Sequence, residues 1–255
     1  MAFTTAFFGE TIDAAGGLVN IAALADQSLT TSGDDLTIPT LNQIALIAAG
    51  VSSGGDGYAR FETPSLLRVT RLYVSPINGN ADADAEPGTP PALYDYRRNP
   101  LSLVTGELGQ AFVESNTGSA AFQWLGLWLS DGAIQPVVGE MFTNRFTNTD
   151  TLTVDAWTNG QITPQDRLPA GRYSVVGMRY VGAGAVAARL VFPGQIGYRP
   201  GVLGCDSDSD IDGTFRFGAM GSFGEFPHNE LPSVDFLSIS GDSAQDIYLD
   251  LIKIA

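Results

Sequence analysis

Residues 122–130 read FQWLGLWLS. In the two-residue period of a strand they place Phe122, Trp124 and Trp128 on one face and Leu125, Leu127 and Leu129 on the other. A strand apolar on both faces has no side to give to water, so it belongs in the middle of a layered β structure. That segment constrains the fold more than any other in the chain.

The surrounding sequence agrees with it. Strand-like runs occur at 66–74, at 172–181 (RYSVVGMRYV), at 186–194 (VAARLVFPG) and at 215–218. Further runs are VDFLSIS (234–240) and DIYLDLIKI (246–254), and Gly, Pro and Asn separate most of them. MFTNRFT and TLTVDAWT around Asn148–Asp150 read as one hairpin, with a turn at Asn159–Gly160. The runs flanking Gly182–Ala185 read as a second hairpin. Two helices are expected: a short one over Leu18–Asp26, and one after Thr40 as N-cap, ending at Gly50. The stretch 78–100, rich in acidic residues and proline, reads as a long loop. The expected fold is mainly β with few short helices. It is an antiparallel jelly-roll-type β-sandwich, either single with insertions or compact double. Residues 1–35 are read as an amino-terminal arm and 36–255 as the sandwich domain, with no internal repeat at fixed spacing.

Composition removes several function classes. The 13 Lys and Arg face 28 Asp and Glu, for a net charge of −15, which argues against nucleic acid as a direct partner. Lys253 is the only lysine, so a phosphate-binding loop ending in Gly-Lys-Ser/Thr is excluded. Cys205 and His228 are each alone. That rules out a cysteine zinc site, a disulfide framework and any catalysis needing two histidines. The chain has no run long enough for a membrane-spanning helix; the closest, Leu41–Ala49, is about half the length required. The amino-terminal residues lack the basic segment of a secretory signal, and the expected compartment for assembly is the cytoplasm. Charged residues form 16% of the chain, against about 25% for an ordinary domain. A surface this poor in charge is either covered by Ser, Thr, Asn and Gly or buried against other chains.

Four places offer chemistry. In CDSDSDIDG, Asp206, Asp208, Asp210 and Asp212 alternate and could wrap a hard cation such as Ca²⁺. The helix–loop–helix calcium pattern is absent, because Ile211 and Phe217 stand where Gly and Glu are needed; a solvated acidic turn is the plainer reading. Asp82, Asp84 and Glu86 form a similar acidic loop. GAGAVA at 182–187 matches a dinucleotide fingerprint in letters, but β-branched and aromatic residues follow it rather than a helix. Phe122, Trp124 and Trp128 could form a platform for a sugar, though a tryptophan-anchored core or interface is the commoner use of such a face. His228 lies between prolines without a nucleophile motif beside it, and no carboxylate pair is singled out for glycoside hydrolysis.

Four segments carry a resemblance: LPAGRYSVVGMRYV with AARLVFPGQIGYRPG, the Gly-rich FRFGAMGSFGEF, the terminal IYLDLIKI, and the small-residue amino-terminal stretch. Together they resemble virion shell proteins of the jelly-roll kind, from tailless icosahedral phages and archaeal viruses. The resemblance is one of style over about two thirds of the chain, so it transfers no catalytic or binding residue. It implies a non-enzymatic capsid component that self-assembles as a homo-oligomer, a trimer by the family's habit, and contacts other virion proteins. It also implies a location in the virion, over an internal membrane in some cases, with Ca²⁺ as the ion some such shells bind. A carbohydrate-binding β-sandwich module, a phage tail or fibre component and a polysaccharide-cleaving enzyme are the alternatives.

Overall fold

The computed structural model describes residues 2–26, 28–52, 57–77, 92–116, 119–135, 137–195, 197–203 and 221–255. The first half contributes β1 (Phe3–Ile12), β2 (Val19–Ile21), β3 (Thr31–Ser32), β4 (Asp35–Thr37), β5 (Gln43–Val51) and β6 (Gly57–Glu62). It continues with β7 (Leu72–Ile77), β8 (Ala92–Asp95), β9 (Leu101–Ser102), β10 (Leu108–Ser115) and β11 (Ala121–Ser130). The second half contributes β12 (Met141–Asn148), β13 (Ala156–Gln161), β14 (Thr163–Pro164), β15 (Arg172–Val181) and β16 (Ala185–Val191). It ends with β17 (Gly201–Leu203), β18 (Gly224–Pro227), β19 (Ser233–Ser238) and β20 (Gln245–Lys253). Among the described residues, the one helical element is a 3₁₀ turn at Leu66–Arg68.

The strands form four antiparallel sheets. In the first half, β1-β11-β5-β8 faces a sheet in which β10, β6 and β7 run side by side, with β2 and β4 on the far side of β10. In the second half, β12-β20-β15-β18 faces β13-β19-β16-β17. The wiring repeats: first strand, last strand, then two middle strands in one sheet; second strand, next-to-last strand, then two middle strands in the other. No repeat is visible in the residues. Side chains shared between layers give the stacking order. Phe8 of β1 meets Phe61 of β6, Phe7 of β1 meets Trp157 of β13, and Phe236 of β19 meets Tyr180 of β15. The two outer sheets are therefore β2/β4-β10-β6-β7 and β12-β20-β15-β18. The two inner sheets pack face to face across the middle of the chain.

Burial follows this order. In the outer strand β10, buried and half-exposed residues alternate, whereas β11 is buried at every position and β16 at every position but its last. Leu125, Leu127 and Leu129 join one core with Phe8, Ile47 and Phe61. Phe122, Trp124 and Trp128 join the other with Phe7, Leu190 and Phe236.

Several local expectations are corrected. The segment expected to be a helix from Thr40 to Gly50 forms β5 instead, paired with β11 on one side and with β8 and β9 on the other. Its QIALIAAGV run is buried almost throughout, and an apolar run of that length satisfies helix and strand periodicity alike until neighbouring backbones claim its N–H and C=O groups. Leu18–Asp26 contains β2 rather than a helix, held by β10. The strand expected from Leu66 begins only at Leu72, after the 3₁₀ turn. Neither proposed hairpin is a hairpin. β12 pairs with β20 while β13 pairs with β19, and β15 pairs with β20 while β16 pairs with β19. In both places the chain crosses from one sheet to the facing one, β12 and β15 both pairing with β20, and β13 and β16 both pairing with β19. Asn159–Gly160 lies inside β13 rather than in a turn. The stretch read as an amino-terminal arm supplies β1, whose ten residues pair with β11 throughout. Its free edge is covered by hydrogen bonds from Gly9 N to Ala22 O, Leu24 N to Phe7 O and Thr5 N to Arg199 O. Of the expected long loop, 92–95 is β8 and 78–91 lies outside the described residues.

Close backbone approach fixes one glycine at the seam. A Cβ on Gly201 would lie 2.1 Å from the carbonyl oxygen of Ala188, while the Gly201 carbonyl accepts a 2.8 Å bond from Trp128 Nε1. Gly201→Ala is expected to cost about 1–3 kcal/mol by overpacking, or roughly 3–10 °C of melting temperature. Gly132→Ala, where nothing lies within 4 Å, leaves the melting curve in place. Thermal unfolding by circular dichroism compares the two.

Candidate functional site at the seam between the halves

The inner sheets meet across a polar cluster centred on Arg189 of β16. In an alternating strand Arg189 shares its face with Ala187, and β19 sets Asp235 directly opposite it in register. β13 then places Asn159 opposite Asp235 and Trp157 opposite Leu237. All these side chains point toward β1. Arg189 has no solvent exposure. Its Nη1 donates to Asp26 Oδ2 at 2.6 Å and to the Thr5 carbonyl at 3.1 Å, and its Nη2 donates to Asp235 Oδ2 at 3.1 Å. The guanidinium carbon lies 3.6 Å from the centre of the Trp157 ring, within cation–π range. Arg199 donates through Nη1 to the same Asp235 oxygen, and Asn159 Nδ2 donates to Asp235 Oδ1 at 2.8 Å.

Two arginines and two aspartates thus neutralise one another where the two halves touch. Asp26 belongs to the first half, and its carboxylate also accepts bonds from Ser28 N, Ser28 Oγ and Leu29 N. Burial alone would raise the pKa of Asp26; the Arg189 charge and the Ser28 bonds outweigh it, and the net displacement is below the ordinary carboxylate value. For Arg189, burial acts against the charged form more strongly than Asp26 and Asp235 act for it, so its pKa is lowered; guanidinium still remains charged in any physiological range.

Beside this cluster opens a cavity of about 370 Å³, lined by Ala25, Asp26, Trp157, Asn159, Val191, Arg199, Ser233 and Asp235. Its walls come from both halves. Trp157 Nε1 is buried and has no hydrogen-bond partner among the described residues. Arg199, also on the wall, commits Nη1 of its guanidinium to Asp235.

The residues singled out from sequence lie elsewhere. Phe122, Trp124 and Trp128 are interior: Trp124 and Trp128 have no exposed surface and Phe122 has 2%. Trp124 stacks on Phe7 at 5.4 Å, and the Phe122 ring lies against Gly9. They anchor the contact between the halves, and the notion of a ligand platform is corrected, since no ring face is open to a sugar. Asp206, Asp208, Asp210 and Asp212, with the Ca²⁺ they might hold, lie outside the described residues, as do Asp82, Asp84 and Glu86. Gly182–Ala185 is the tight crossing between facing sheets, closed by a bond from Ala185 N to Gly182 O. His228 is exposed in a turn, where its Nδ1 accepts from Gly171 N at 3.3 Å. Arg189 and Asp235 were missed, yet a signal existed: each is the lone charge in a short strand-like run whose neighbours on either side are apolar, VAARLVF and SVDFLS. A charge in that position must have a buried partner.

No known protein family, curated protein or solved structure matches the chain.

Removing one member of a buried ion cluster leaves its partners uncompensated. Arg189→Met is expected to destabilise the fold by about 3–5 kcal/mol, read as a fall in the urea midpoint. The Asp26 carboxylate, with its folded pKa below the unfolded one, adds stability that is full above the unfolded value near 3.8 and is lost as pH falls through the folded value. Melting temperature should therefore decline more steeply on acidification below about pH 4 in the wild type than in Asp26→Asn. Parallel acid limbs would contradict this.

Proposed function

We propose that this chain is a structural, self-assembling protein, a capsid shell component built as two jelly rolls in tandem. The carrying observation is the repetition of one eight-strand wiring in both halves, which reads as the two-Greek-key order of a jelly roll. Doubling a jelly roll within 255 residues leaves little chain for elaborate loops and favours a role in tiling over one in catalysis.

The stacking supports the same reading. The first half offers the sheet holding its first and last strands to the seam; the second half offers the sheet holding its second and next-to-last strands. The contact is head-to-tail, so the two outer faces of the chain are again one of each kind. Head-to-tail contacts close as rings when the rotation permits, and three copies would set six jelly rolls around one axis. The low charge fraction and the exposed Val69, Val104, Val138 and Phe142 suit a surface partly covered by other copies. The acidic balance suits contact with other virion proteins, or with a layer between shell and genome, rather than with nucleic acid.

Light scattering on the purified protein tests the proposal. The expected mass is three times the 26.9 kDa chain, or a larger closed particle. A monomer at concentrations of roughly 100 μM, well above the Kd of a standard-size interface, would overturn it.

A further inference from the structure

We infer that the two outward sheet faces of this chain fit each other, so that the first half of one copy docks on the second half of another through two complementary rows of side chains. The inference rests on the self-assembly reading above and names the surfaces it uses. On the outer sheet of the first half, Phe112 of β10, Arg60 of β6 and Tyr73 of β7 stand opposite one another in register. Their strand neighbours Ala59, Phe61, Ala111, Val113 and Val74 are buried, so the three side chains share the outward face. On the outer sheet of the second half, Arg145 of β12, Tyr248 of β20 and Arg179 of β15 form the corresponding row. There Phe146, Ile247, Leu249, Met178 and Tyr180 belong to the core.

One row reads aromatic, cation, aromatic; the other reads cation, aromatic, cation. Arg60 lies over both its neighbours, 4.9 Å from the centre of the Phe112 ring and 5.9 Å from that of Tyr73. Arg179 lies 5.0 Å from the centre of the Tyr248 ring. Adjacent strands in any sheet are about 4.8 Å apart, so the two rows share one spacing. Laid face to face with strands aligned, they set Tyr248 over Arg60 and the other two arginines over Phe112 and Tyr73, and every cation meets a ring. Two like faces would instead set Arg60 on Arg60, so the alternation selects unlike faces. Burial strands no formal charge. Arg60 Nη2 bonds Glu62 Oε1 at 2.7 Å, and Arg145 Nη2 donates to both Asp246 oxygens at 2.8 and 2.9 Å. Glu114, two residues from Phe112 on the same face of β10, offers a carboxylate to the arginine that covers that ring. The contact also joins the same two kinds of sheet as the seam within the chain, where Arg189 lies over Trp157.

Light scattering on paired variants of the full chain tests the inference, at the lowest concentration where the wild type is fully assembled. Tyr73→Arg, at a position 40% exposed, sets a cation against the arginines of the second row. Arg145→Glu, on a side chain 44% exposed, removes a cation from that row. Each should raise the dissociation constant about a hundredfold and leave a monomer that circular dichroism shows to be folded. Each variant keeps one intact face, so their equimolar mixture should recover a species of twice the 26.9 kDa chain and nothing larger. Phe112→Arg and Arg179→Glu replace any variant that does not fold. Full assembly by both folded variants overturns this inference and leaves self-assembly standing, as does a mixture that stays monomeric. A wild type that is monomeric at roughly 100 μM overturns both.

Discussion

The central strands of two of the four sheets have no face left for water, and that constraint organises the rest. β11 and β16 sit in layers covered on both sides, so whatever polar group they carry must find its partner within the chain. Arg189 is where this requirement is most severe. A guanidinium with no solvent exposure holds only because Asp26, Asp235, the Thr5 carbonyl and the Trp157 ring surround it. Two of those partners come from the first half and two from the second. The arrangement therefore ties the register of the halves to each other more narrowly than the apolar contact would, since Phe7, Trp124 and their neighbours could slide over a sheet at small cost, whereas a buried charge could not.

The repeated wiring gives the seam its meaning. If the two halves had met through like faces, the chain would be a closed pseudo-dimer with nothing unsatisfied. They meet instead through unlike faces, and the same two kinds of face are left outward. The proposal of a self-assembling tile rests on that pair of unlike outward faces. The polar cavity at the edge of the seam is a by-product of the same geometry: the loop carrying Asp26 leans across from the first half, and the gap it leaves is walled by groups whose charges cancel.

The layered β fold was legible in the sequence because FQWLGLWLS, with aromatic residues on one strand face and leucines on the other, stands among many short runs bounded by Gly, Pro and Asn, and the two faces assigned there fall in two different cores. The doubling was not legible, because the halves share strand order without sharing residues. Hairpins were misread for a related reason. A short Gly-rich turn such as Gly182–Ala185 fits either a pairing partner or a facing one, and only the competition for partners, won by β20 and β19, decides between them. The helix expected at Thr40–Gly50 failed because apolar runs rich in Ala and Leu carry no strand signature of their own.

By itself the sequence determined that the chain is mainly β, that one strand lies between two cores, and that a cysteine zinc site, a Gly-Lys phosphate loop and two-histidine catalysis lack the residues to form, because composition and alternation are local properties. The tertiary structure alone decided which strands pair, that the wiring occurs twice, and that Asp26, Asp235 and Arg199 gather around Arg189 from positions up to 209 residues apart (Asp26 to Asp235). Those are long-range facts. They arise when sheets choose faces to bury, and no window of neighbouring residues contains that choice.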